Sequence, residues 1–213
     1  NFKKMRNLSI CLLVILFFSC NSEEKNKELI LETFLEYKKA VVDRRGVDAL
    51  PYIDNSTVDY YQLTVERACN INSNELRKLS LIDKLLIITI RHKFHASEIK
   101  KLTGESLLVW AIDNGFISSA FVKDAGIQGI KINSDSAIAN FTYMGHKLPN
   151  TCHFIKEDKI WKMKLTALFE YSDKSLKQIA NSKNITHREF IFDMLRKTSD
   201  TEVNPEIWER MIE

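Results

Sequence analysis

Apolar positions recur at spacings of three and four through Ile30, Phe34, Tyr37 and Val41. That period predicts a helix over 26–44, with Gly46 as its stop. A short helical piece over 47–53 follows, bent at Pro51. Ser56 with Asp59 forms a capping-box pattern that opens a helix to about Ala68. Ser80 with Asp83 repeats it before Leu85-Leu86-Ile87-Ile88-Thr89-Ile90. The β-branched residues of that run suit a strand, but the cap and the trailing Arg91-His92-Lys93 favour a helix. Helices over 97–102 and 105–113 come next, the second ended by Asn114-Gly115.

Beyond Phe116 the period shifts to two. Antiparallel strands are predicted over 117–122, 127–133, 137–144, 151–156 and 160–171. Turn-rich segments lie at Asn133-Ser134-Asp135 and over 145–150, and Glu157-Asp158-Lys159 makes a tight hairpin. In the last strand, Trp161, Met163, Leu165, Ala167, Phe169 and Tyr171 alternate with largely polar residues, so one apolar face calls for a covering layer. Two helices close the chain, one behind a Thr186–Glu189 capping box and one starting at Asn204-Pro205. The fold class is therefore α+β: N-terminal helices packed on a curved, cone-like antiparallel sheet, with C-terminal helices after it.

Ahead of all this lies the apolar run Leu8-Ser9-Ile10-Cys11-Leu12-Leu13-Val14-Ile15-Leu16-Phe17-Phe18, closed by Ser19-Cys20 and preceded by Lys3, Lys4 and Arg6. With Met5 as the start, Arg6 alone supplies the leading charge. As a helix the run is about 20 Å long, short of the roughly 20 residues a membrane span needs. It resembles the signal peptide of a bacterial lipoprotein, cleaved after Ser19 and lipidated on Cys20. Phe17 and Phe18 depart from that family's usual Leu and small residue, and an ordinary secretory signal or a buried helix is the alternative. Residues 20–27 are polar and read as a solvated tether. Ser22 is not the Asp of the inner-membrane retention signal, and Ser22-Glu23-Glu24 resembles a short acidic export signal. The resemblance implies an outer-membrane, lipid-anchored envelope protein, with several acyl chains holding it stably.

Removing residues 1–19 takes Lys3, Lys4 and Arg6 from 31 basic residues and nothing from the 28 acidic ones, so the mature chain has no net formal charge. A nucleic-acid partner, which needs a clustered excess of Lys and Arg, is not expected. Cys69 and Cys152 remain once Cys20 is used; outside the cytoplasm they are either a disulfide pair or two buried thiols.

The pattern Phe34-Leu35-Glu36-Tyr37, the strand Ser136-Ala137-Ile138-Ala139 and the stretch Phe154-Ile155-Lys156-Glu157-Asp158-Lys159-Ile160-Trp161-Lys162-Met163 resemble the nuclear transport factor 2-like, SnoaL-like cone fold. The resemblance spans about residues 27–171. It implies a domain over 28–181, a C-terminal helical extension over 182–213 and a pocket inside the cone. Some members of that family are isomerases or cyclases with an Asp or His in the cone; many only bind.

Candidate pocket residues are His153, Tyr143 and Trp110, with His153 as a general base if an acid lies near it. His92 and His95 share a helix-end face and read as a polar cap rather than a metal pair, since no third ligand is spaced with them. His146 and Asp113 read as turn residues, Tyr60 and Tyr61 as core or pocket wall, and Asp135-Ser136-Ala137 resembles an O-glycosylation acceptor. No cofactor, metal ligand or catalytic set is assigned. The expectation is a non-enzymatic envelope protein that binds a small ligand or a protein; an enzyme with its site in the cone, or an immunity or assembly module, is the alternative.

Overall fold

The computed structural model describes residues 2–199 and 201–209, with side chains from Ser22 onward. The expected lipidation site, Cys20, lies outside the residues whose side chains are described. The architecture is α+β, with the main helices before a four-stranded antiparallel sheet and two more after it.

Helix α1 (Phe2–Val42) buries Ile30, Thr33, Phe34, Tyr37, Ala40 and Val41 on one stripe, as the spacing predicts. The segment read as a tether, 20–27, is part of α1, and its last turn is docked (below). Gly46 is not the stop. The chain turns through Arg44 at φ 54, and Gly46 opens α2 (Gly46–Ala49). A Cβ on Gly46 would lie 2.5 Å from the Val109 carbonyl oxygen, so this glycine permits a close approach of two backbones. A 3-10 turn through Pro51 leads to Ile53, which bridges Met163.

Helix α3 (Asn55–Asn70) is capped by Asp54, whose carboxylate accepts from Thr57 N at 3.2 Å. Ser56, expected as the cap, instead donates to that carboxylate. The short α4 (Ser73–Lys78) has its own Asn72–Glu75 capping box. Helix α5 (Leu81–Lys93) starts at Ser80 as expected and buries Leu81, Ile87, Ile88 and Ile90. A helix apolar on several sides sits at the centre of a helical layer, and α5 touches α3, α9 (Phe169–Ser182) and α10 (His187–Thr198). Then come α6 (Ala96–Ile99), α7 (Gly104–Asp113) and α8 (Ser119–Asp124). The last of these replaces the strand expected over 117–122: Ser118 caps it by accepting from Phe121 N.

The sheet is a meander in the order β1 (Ala125–Asn133), β2 (Ser136–Tyr143), β3 (His146–Glu157), β4 (Ile160–Met163). Segment 145–150 is not a loop. Met144 and Gly145 both take positive φ, the geometry of a tight hairpin turn, and β3 begins at His146. The register shift between Asn140 and Thr142 absorbs Leu148-Pro149-Asn150 as a bulge.

The strand expected over 160–171 ends at Met163. Leu165 N donates to the buried Thr57 Oγ1 at 3.1 Å, and the chain turns into a 3-10 helix (Leu165–Leu168) and then α9 (Phe169–Ser182). Tyr171, the last member of the apparent alternation, is 40% exposed. Leu165, Phe169, Leu176 and Ala180 follow the helical period and pack inward. Helix α10 (His187–Thr198) carries the expected Thr186–Glu189 box, and Pro205–Trp208 is a single 3-10 turn.

The face of the sheet that would line a cone is filled. Ala137, Ala139, Phe141, Cys152, Phe154, Trp161 and Met163 are buried in one core with Ile30, Phe34 and Tyr37 of α1. Thr33 Oγ1 donates to the Trp161 carbonyl across that interface at 3.0 Å. Tyr37 lies by Tyr61 and Cys152, and burial raises the pKa of all three: Tyr61 and Cys152 to about 12, and Tyr37 well above its ordinary value of 10.0.

Candidate functional site

The three candidate pocket residues are not brought together. His153 sits between Cys152 and Phe154, whose side chains are buried, so it projects from the opposite face, paired with the exposed Ile138. Its Nε2 meets Thr151 Oγ1 at 3.0 Å, and burial and then Lys164 lower its pKa. Tyr143 stacks on Phe121, with centroids 4.8 Å apart and planes at 11°. Trp110 belongs to an aromatic group with Phe94 (4.7 Å) and Phe116 (4.6 Å). Beside it lies an apolar cavity of about 80 Å³, bounded also by Tyr61, Leu86 and Leu107.

Cys69 and Cys152 are free thiols, which sets aside the disulfide reading. They face different surroundings: Cys152 is near Tyr37, whereas Cys69, at the end of α3, is near Lys100 and Arg91. Asp113 is not a turn residue; it accepts from Gly46 N at 2.6 Å and ties α7 to α2. Tyr60 donates to Asp83 at the start of α5, and burial, followed by that bond, raises its pKa. His146 is exposed opposite Tyr143, and Ser136 Oγ donates to the Asn133 carbonyl at 2.9 Å. Among the described residues no group of three or more His, Cys, Asp or Glu is placed to hold a metal ion.

A wider concavity lies elsewhere, where α5 ends. Phe94 leaves the helix in extended conformation, and α6 turns back two residues later, opening a cleft of about 990 Å³. One wall is Arg91, His92, Lys93, His95, Lys100 and Lys101; the other is Thr201, Glu202, Asn204 and Ile207 from the chain after α10.

Arg91 builds the cleft. It is buried, and its guanidinium donates to four carbonyls: Ala68 (2.8 Å), Ile71 (2.6 Å), Ile207 (3.2 Å) and Glu209 (2.7 Å). A planar fork with five donors is suited to this, and the bonds offset the cost of burying the charge. Burial lowers its pKa, opposed by Cys69 and Glu209. One side chain thus holds the end of α3 and the C-terminal segment on α5.

His92 Nε2 and Lys93 Nζ converge on Ser199 Oγ, at 2.8 and 2.9 Å. Burial and then Lys93 lower the His92 pKa. A neutral imidazole accepting the serine proton, with the ammonium donating to the same oxygen, satisfies all three groups. His95 and Lys101 are exposed, and His95 N donates to Glu98 Oε2 at 2.7 Å. The helix ends between His92 and His95, so the two line one cleft from separate elements rather than one helical face. Glu202 is the only carboxylate in the described lining, against one arginine and three lysines. The cleft can therefore hold an anion beside the apolar Phe94 and Ile207.

A second polar group had no signal in the sequence. Lys84 is buried, with His187 Nδ1 at 3.5 Å, and burial and then Lys177 lower its pKa. Asp173 of α9 accepts from Leu81 N (2.7 Å) and Ile82 N (3.1 Å) and pairs with Lys177 (2.6 Å). These groups brace α5 against α9 and α10 and open onto no described cavity.

Comparisons with protein-family models, curated proteins and solved structures find no match. Among the described residues no helix is long and apolar enough to cross a membrane.

Proposed function

We propose that this is a lipid-anchored protein of the cell envelope, at the outer membrane, that binds an organic anion in the α5–α6 cleft without transforming it. The observation that carries the reading is the lining itself: Lys93, Lys100 and Lys101 with two histidines, and the Arg91 charge behind them, against Glu202 as the one carboxylate among the described lining residues, around about 990 Å³. The size suits a small molecule, and Phe94 and Ile207 favour one with an apolar part. Anchoring rests on the signal-like run ending at Ser19-Cys20. The order of a long helix followed by a meander supports the nuclear transport factor 2-like reading. An isomerase- or cyclase-like site, however, would need the space that α1 occupies against Phe154 and Trp161.

The test is a thermal-shift screen of the purified full chain in detergent against mono-, di- and tricarboxylates, phosphate esters and matched neutral analogues. Anions should raise the melting temperature and the neutral analogues should not. Stabilisation by the neutral analogues to the same extent would refute the electrostatic part of the reading.

A further inference from the structure

The anchor has almost no slack. Asn26 lies six residues after Cys20. Its Oδ1 accepts from Trp161 Nε1 at 2.9 Å and from Lys156 Nζ at 3.1 Å, so two sheet residues grip α1 at Asn26. Trp161 is 2% exposed, which fixes that grip in the core. The turn before it is ordered too: Asn26 Nδ2 donates to the Ser22 carbonyl at 2.7 Å, and Lys27 bridges Glu23 at 3.0 Å. Only Cys20 and Asn21 lie ahead of that turn. Six residues span about 9 Å as helix and about 20 Å fully stretched. A domain on a flexible tether could tumble; this one cannot move far from its lipid.

The surface around Asn26 is the end of the sheet. The β3–β4 hairpin turns there through Asp158 (φ 50) and Lys159 (φ 68), and Ile160 beside the turn is 55% exposed. Lys156 N donates to the Asp135 carbonyl at 2.8 Å, which puts the β1–β2 turn at the same end. The cleft lies toward the other end of α1. An added Cβ on Gly115 would sit 3.2 Å from the Arg44 guanidinium, just past the end of α1, and the neighbouring Phe116 has Lys93 Nζ 6.0 Å from its ring centroid. From Asn26 to Val42 the helix rises about 24 Å.

We infer that the β3–β4 hairpin, with Lys159 and Ile160 at its tip, is a membrane-contact surface seated on the lipid headgroups. Helix α1 then stands as a spacer that holds the anion cleft on the far side. The partner is a phospholipid surface: Lys159 meets phosphate and Ile160 reaches the interfacial layer, while Glu157 of the same hairpin is paired with Lys162 at 3.1 Å and Asp158 is exposed beside them. This rests on the lipid-anchor reading given above.

The test uses the full chain purified with its lipid, its intact mass recorded, and reconstituted into vesicles of phosphatidylethanolamine and phosphatidylglycerol at three to one. Two variants, Ile160→Cys and Lys101→Cys, each with Cys69→Ser, carry a fluorophore; the vesicles carry a headgroup quencher. With acyl mass present and the chain floating with vesicles, quenching at position 160 should exceed that at 101 by about threefold or more. Inserting twelve Gly/Ser residues after Asn21 should erase the difference while flotation persists. Equal quenching at both sites in a floating, acylated chain overturns the orientation and leaves the anchor standing. A chain with no acyl mass that stays off the vesicles overturns the anchor itself, and the orientation with it.

Discussion

Asp173 on α9 accepts the first backbone N–H of α5, from Leu81 at 2.7 Å, and so caps a helix ninety-two residues earlier in the chain. A carboxylate at a helix N-terminus satisfies orphan donors and complements the macrodipole. Burial alone would raise the Asp173 carboxyl; the bonds from Lys177, Ile82 and Leu81 outweigh it and hold its pKa below the usual 3.8. Asp173→Ala should cost about 1–2 kcal/mol in urea unfolding. Because the folded pKa is lowered, this contribution is present above about pH 4 and is lost as pH falls through the folded value. The wild-type advantage over Asp173→Ala should therefore shrink in acid.

Three histidines act in the same direction. His92, His153 and His187 all have pKa values below 6.5, each chiefly through burial, with a neighbouring lysine adding to it. Between 6.5 and their folded values the unfolded chain binds more protons, so stability should fall as pH drops below neutrality. Melting temperatures from pH 7.5 to 5 should show the decline, and His187→Gln should flatten it. A profile unchanged by that substitution would show that His187 has no part in it.

Removing Arg91 should be the most damaging single change near the cleft. Arg91→Ala leaves four carbonyls without their donor, at about 1–3 kcal/mol for each that stays buried and unpaired. A total above about 3 kcal/mol is expected. Lysine should not rescue it, because a point charge cannot reach four acceptors in a fan. Limited proteolysis should cut the segment after α10 in both variants sooner than in wild type.

The turn after Met163 separates two readings of one stretch. Leu165→Ala should cost about 2–5 kcal/mol, as buried leucine truncations do. Tyr171→Ala should change stability by less than about 0.5 kcal/mol, as surface substitutions do. A strand continuing to Tyr171 would make both costly.

Local signals were the legible ones. The Ser80 and Thr186 caps, the stripe from Ile30 to Val41 and the α+β order could be read because neighbours a few residues apart determine them. The end of β4 could not, since Leu165 N turns toward Thr57, 108 residues away in sequence. Alternation through Tyr171 arose because a strand period and a helix period happen to share Leu165 and Phe169. Asp54 displaced Ser56 as the cap of α3 for a tertiary reason too: its own N donates to the Met163 carbonyl at 3.0 Å. The cleft was hidden because its walls, 91–101 and 201–207, are about a hundred residues apart in sequence and meet through tertiary contacts, the Arg91 fan and the His92–Thr201 contact among them. The basic run before Phe94 could have pointed to it, but helix C-termini carry such residues routinely.

The most direct measurement is calorimetric titration of the full chain in detergent with the strongest anion from the screen, repeated for Lys101→Glu and for Lys164→Glu. Lys101 is an exposed cation of the cleft, whereas Lys164 is outside it on the strand side, so each reversal changes the net charge equally. The account predicts about a tenfold or greater loss of affinity for Lys101→Glu, close to wild-type affinity for Lys164→Glu, and weakening as salt rises. Equal affinity in all three proteins, or equal losses in both variants, would contradict an anion site at the end of α5.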